Sequence, residues 1–183
     1  PHLFTGHPLL ARSYAAIVAA ALEDLVANPD DRLDPATPVY VDELGAGTGR
    51  LAFHLLRLLE ERHLPIPVVY VLSDLPRENV AFFAAHPQLA PFIERGALDI
   101  AQFDVLVDEE LLLECSGVRL APGGRANPMI VIANYVFDVL PQDLFRSDGG
   151  SLSEEFVSFA IESGDRSPGS PGFLDRLRVG VDV

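Results

Sequence analysis

The chain contains no lysine, one cysteine, and no run of about 18 apolar residues that would serve as a membrane-spanning helix. Its 13 basic residues, all arginine, face 27 acidic ones, giving a formal net charge of −14. That balance, with no basic cluster, excludes ordinary nucleic-acid binding, where phosphate contacts supply most of the non-specific affinity. It is equally unsuited to an anionic membrane surface. Cys115 alone permits no internal disulfide, so a reducing, cytoplasmic setting is expected. Five scattered histidines with one cysteine form no metal-ligand spacing, and no metal site is expected. No charged-then-apolar leader opens the sequence, and no internal repeat occurs. Because the chain starts at Pro1 rather than at a methionine, it is expected to be a piece of a longer protein.

What is present suits a globular fold. The 183 residues are 49% hydrophobic and 22% charged, enough for one domain with a proper core. Residues 9–27 are rich in Ala and Leu and predict a helix. It ends at Asn28-Pro29-Asp30-Asp31, where proline forbids its continuation. Strands are expected at 39–41, 67–74, 96–104 and 129–134, and helices at 51–62 and 77–85, with a further short turn within 88–95. Residues 111–120 are ambiguous, and a small hairpin turning at Ser116-Gly117 is favoured. A second hairpin is expected from 144–146 and 156–161 around Asp148-Gly149-Gly150, followed by a Gly-, Ser- and Pro-rich loop over 163–172. Strands alternating with helices predict a parallel α/β sheet.

The stretch Val39-Tyr40-Val41-Asp42-Glu43-Leu44-Gly45-Ala46-Gly47-Thr48-Gly49-Arg50 carries the most information. A β-branched and aromatic strand runs into an acid, then alternating glycines, then a helix start. The glycines let the backbone turn sharply and lie against a ligand with no Cβ in the way. A strand, a glycine turn and a helix N-terminus form a nucleotide-type site at the C-terminal edge of a parallel sheet. The spacing is Gly-x-Gly-x-Gly, not the Gly-x-Gly-x-x-Gly that meets a dinucleotide pyrophosphate. A nicotinamide or flavin site, and a turn that binds nothing, remain as alternatives.

This pattern, with Glu43 two residues before Gly45, resembles motif I of the class I S-adenosylmethionine (SAM)-dependent methyltransferases. The resemblance covers residues 39–141. It implies a Rossmann-like fold, SAM as cofactor, and an acid at Glu43 beside the methionine and sulfonium end of the ligand. It further implies a cofactor site built from Glu43, Gly45, Ala46, Gly47, Gly49, Asp74, Leu75, Phe103, Asp104 and Asn134. Asp74 would accept both ribose hydroxyls, which a single carboxylate can do; helix capping ahead of Pro76 is its structural alternative. Phe103 would stack on adenine and Asp104 accept from the exocyclic amine, against a core Phe beside a solvated loop acid. Asp99 is the rival to Asp104 if the third strand is shifted. Asn134 and Tyr135 would face the acceptor and are the catalytic candidates.

The run Ile132-Ala133-Asn134-Tyr135-Val136-Phe137-Asp138-Val139-Leu140-Pro141 narrows the resemblance. It is similar to the Asn-Glu-Phe-Phe-Asp-Ala-Leu-Pro segment of the MidA-like methyltransferases, with Tyr135 in place of the family's Glu. Members of that family methylate protein arginine, which makes a protein one possible acceptor. The class I sheet has seven strands, and this sequence accounts for four plus a late hairpin. The last strands are therefore expected to be lacking or replaced. The expected organisation is a single methyltransferase domain: lead-in 1–38, cofactor-binding core 39–141, hairpin and tail 142–183. The competing expectation is an inactive SAM-binding or interaction module of a larger protein. His54 is read as a packed or half-exposed side chain, Cys115 as buried, and Arg12 and Tyr14 as candidates for a cofactor lid on the first helix. Oligomeric state is left open.

Overall fold

The computed structural model describes residues 6–27, 33–124, 127–161 and 177–182. The expected breaker at 28–31 and the loop at 163–172 lie outside the described residues. The chain forms two compact units, Pro1–Asp138 and Val139–Val183.

The first unit begins with helix α1, Pro8–Ala27, followed by strand β1, Val39–Leu44, and helix α2, Arg50–Glu60. Strand β2, Val68–Asp74, leads through α3, Arg77–Ala85, and the short α4, Ala90–Glu94, to β3, Leu98–Gln102. A small hairpin of β4, Leu111–Leu112, and β5, Arg119–Leu120, precedes β6, Ile130–Ile132. A 3-10 turn, Phe137–Val139, follows. The four longer strands form one wholly parallel sheet in the order β3-β2-β1-β6. This is the Rossmann-like α/β architecture expected above, with β6 at one edge and β3 at the other.

Strand alternation sorts the two faces. Val39, Val41, Tyr70, Leu72, Leu98, Ile100 and Ile132 enter one core with the helices. In α2, Leu51, Leu55, Leu56 and Leu59 recur at helical spacing and are all buried there. In α1, Ala11, Ala15 and Val18 form a small-residue seam that lets the helix pack closely. The opposite face has Val71 and Ala101, covered by Leu111, Leu113 and Leu120 of the β4–β5 segment. So the helices lie on one face and the hairpin is the cover of the other.

The second unit is an antiparallel sheet of β7, Leu144–Asp148, β8, Ser151–Ile161, and β9, Leu177–Asp182. Here the structure corrects the sequence. Residues 144–148 pair with the first half of β8, with Leu144 opposite Glu155. The 156–161 arm pairs instead with β9, with Phe156 opposite Asp182 and Ile161 opposite Leu177. The strand β9 was not foreseen. The third strand of the main sheet is also shorter than 96–104, running Leu98–Gln102, because the chain turns away from Asp104 onward.

Candidate functional site

The four predicted features follow the C-terminal ends of β1, β2, β3 and β6, on one edge of the parallel sheet. Gly45, Gly47 and Gly49 take φ values of 64°, 60° and 65°, the left-handed region that excludes most side chains at little cost only to glycine. Ala46 N–H donates to the Ser73 carbonyl at 3.1 Å, tying the turn to β2. Gly49 N–H donates to the Ala46 carbonyl at 3.0 Å, and α2 begins at once. A Cβ on Gly47 would find nothing nearer than the Gly45 carbonyl at 3.9 Å, so the space over this residue is open. A Cβ on Gly45 would come within 3.4 Å of Val136, which places the segment after β6 against the turn.

Asp74 closes the turn from β2. Its Oδ2 accepts from Gly47 N–H at 2.8 Å and from Asn79 Nδ2 at 2.9 Å, and its Oδ1 accepts from Leu75 N–H at 2.9 Å. Asp74 thus ties the glycine turn to the start of α3, but it does not cap that helix: the N-cap is Pro76, with no side-chain cap hydrogen bond. Asn79 was missed by the sequence analysis. Its one signal is a position three residues after Pro76, in the first turn of α3.

Glu43 is buried on the helical face, where its Oε2 accepts from the Tyr70 hydroxyl at 2.7 Å. Burial pushes its carboxyl up to about 7; the Tyr70 hydrogen bond opposes this, and the charges of Asp42 and Asp74 add to it. Asp42 faces the other side of the sheet, 1% exposed, and its Oδ1 has no hydrogen-bond partner among the described residues. Burial raises it to about 6, partly offset by the Ser73 hydroxyl. Asp42 and Asp74 thus both act on Glu43, and Asp74 is the one bonded to the glycine turn.

Phe103 N–H donates to the Asp74 carbonyl at 3.0 Å, which brings the end of β3 to the same edge. Phe103 is half-buried and packs on the hairpin-side core. Asp104 is engaged in its own turn: its Oδ1 accepts from Leu106 N–H at 3.0 Å, and its N–H donates to Asp108 Oδ2 at 2.7 Å. Asp99 does not compete with it. Its side chain lies buried on the hairpin face, Oδ1 accepting from Ile100 and Cys115 N–H and Oδ2 from Ser116 N–H. It is the anchor of the β4–β5 turn. Asn134 is half-buried, and Leu75 and Tyr135 are exposed. Tyr135 has φ 58°, a strained value for an aromatic residue.

Tyr14 packs half-buried against the helical core, while Arg12 is exposed. Cys115 is exposed, contrary to expectation, because its turn stands on the outside of the hairpin. Its thiol is nonetheless pushed up to about 11, chiefly by burial of the sulfur and then by Asp99. Among the described residues no cluster of His, Cys, Asp or Glu is suited to a metal, and no helix is long and apolar enough to cross a membrane.

Fold and site together define a Rossmann-like α/β unit with an acid-ringed glycine turn. No family model matches the chain, and no curated protein matches it. Among solved structures it is similar to a candidate methyl transferase from Burkholderia thailandensis bound to S-adenosyl-homocysteine. That match has 26% identity over 83% of this chain and 31% of the other, with a TM-score of 0.44. It is similar to the CMeT domain of the citrinin polyketide synthase, with 28% identity, 50% and 21% coverage, and a TM-score of 0.33. It is also similar to the DszA carbon methyltransferase, with 17% identity, 53% and 23% coverage, and a TM-score of 0.37. The chain spans less than a third of the length of these structures.

Proposed function

We propose that this chain is a SAM-dependent methyltransferase domain, resting on one observation above all: the glycine turn is ringed by carboxylates. In a dinucleotide fold the loop amides meet a pyrophosphate. Here the Gly47 N–H is already taken by the Asp74 carboxylate, and the buried carboxyls of Asp42 and Glu43 stand in the strand just before the turn. Such a site repels phosphate and suits a cation. The open space over Gly47 leaves room for a ligand at the backbone. Bound SAM supplies a methyl already activated by positive sulfur.

The protein's work is then positional. Glu43 orients the cationic end, and Asp74, beside Leu75, receives the ribose hydroxyls. Phe103 and Asp104 take the adenine. Gly45, Ala46, Gly47 and Gly49 line the ligand with backbone, and Asn134 and Tyr135 face the acceptor. The acceptor's lone pair forms the new bond to carbon as the carbon–sulfur pair returns to sulfur, and the proton leaves from the acceptor. Holding donor and acceptor in line supplies much of the rate, so no nucleophile–base pair is required. Protein arginine and small amines are the first acceptors to try.

A parallel sheet of four strands among the described residues favours a second reading, a SAM-binding module without turnover. Incubation with methyl-labelled SAM and a panel of arginine peptides and small amines separates the two. Label on an acceptor supports the enzyme. SAM affinity with no transfer to any of them supports the module.

A further inference from the structure

In a chain this acidic, one cavity is lined by no carboxylate at all. It encloses about 270 Å³ between the first turn of α2 and the link from α3 to α4. Arg50, Phe53 and His54 line it from α2, with Thr48 before them, and His86 and Leu89 face them from the link. Glu43, Asp74, Phe103, Asp104 and Asn134 are not among its walls. It meets the glycine turn only at Thr48 and Gly49, where the turn enters α2, and none of the carboxylates around the turn lines it.

Thr48 and Gln88 can donate or accept there, and Arg50, His54 and His86 bring ring and guanidinium donors. The stem of Arg50 lies against Gly6: a Cβ there would stand 3.2 Å from Arg50 Cβ and 3.5 Å from its Nε. Arg50 enters no ion pair among the described residues, where Arg77, Arg95, Arg119 and Arg146 each pair with a glutamate. His86 Nδ1 accepts from Gln88 N–H at 3.2 Å, so the neutral ring carries its proton on Nε2, as a donor. His54 is held below its ordinary value by burial, then by the charges of Arg50 and Arg57, which places it in the field of the same cation. An oxyanion would reverse that repulsion.

We propose that this cavity binds the phosphate group of a small phosphorylated ligand, with Arg50, His54 and His86 as its donors. A guanidinium matches two phosphate oxygens at once. Donors from both walls suit a tetrahedral oxyanion better than a planar carboxylate. Phe53 and Leu89 supply an apolar wall for the rest of the ligand.

The test is a titration of the chain with inorganic phosphate, followed by nitrogen NMR of the histidine rings. Saturable shifts at His54 and His86 are expected. Arg50→Gln and His86→Gln should each weaken binding about tenfold or more, the scale of one charge-assisted hydrogen bond, whereas Arg119→Gln should not. Phosphate should still bind when S-adenosyl-homocysteine is saturating. Absence of saturable shifts in the unmodified chain overturns the proposal. So does displacement of phosphate by S-adenosyl-homocysteine, which would make the cavity part of the nucleoside site. Equal binding of acetate would replace the phosphate assignment with a general carboxylate site.

Discussion

Asp42 and Glu43 are adjacent in sequence, point to opposite faces of the sheet, and are both buried. Their carboxyls rise from 3.8 to about 6 and from 4.5 to about 7. A raised carboxyl favours the folded state in its protonated form. That contribution is intact below the ordinary values and is lost as pH climbs through 6 to 7. The chain should therefore melt at a higher temperature at pH 5 than at pH 8, as far as these groups decide. Asp42→Asn should raise stability at pH 8 by on the order of 1–3 kcal/mol and change little near pH 4. An unchanged pH slope in the variant would show that the orphaned Asp42 Oδ1 carries no such penalty. Asp74→Asn should weaken S-adenosyl-homocysteine binding about tenfold in a calorimetric titration, since it removes charge from the proposed acceptor of the ribose hydroxyls; undiminished affinity would remove Asp74 from the site. The types of these residues were legible from spacing alone. Their partners were not, because Gly47 and Tyr70 each lie 27 residues from the carboxylate they bond, a distance that only the parallel pairing of β1 with β2 closes.

At the scale of elements, the glycine turn carries the most consequence. Gly47→Val places a branched side chain at φ 60° and fills the open space above the turn. It should abolish S-adenosyl-homocysteine binding while far-ultraviolet circular dichroism stays unchanged; normal binding would show that the ligand does not lie on this loop. The helices and the order of the first unit were readable because each apolar pattern is local: α3 spans Arg77–Ala85, as predicted, between Pro76 and His86-Pro87. Strand pairing in the second unit was less so. The pattern of 156–161 shows that the segment is a strand but not which strand it meets. Its true partner, β9, begins at Leu177, beyond a Gly- and Pro-rich stretch that reads as the end of structure. Asp99 was read inside the third strand, where it lies, but its role was not legible. An acid inside a strand normally marks a strand end, and here it is buried to hold the Cys115–Ser116 turn.

For the molecule as a whole, β6 is the edge of the parallel sheet among the described residues, with Val131 and nearby Tyr135 and Phe137 exposed. A strand edge with unpaired backbone groups invites further pairing. Light scattering should show the mass of the chain rising with concentration; a monodisperse monomer over the whole range would contradict this. The net charge of −14 suits a cationic ligand better than a polyanion. The measurement that bears most directly on the central claim is a calorimetric titration of the folded chain with SAM and with S-adenosyl-homocysteine, and with NAD as the control. The acid-ringed glycine turn predicts saturable binding of the SAM pair and none of NAD. Binding of NAD, or a folded sample that takes up neither SAM nor its product, would contradict it.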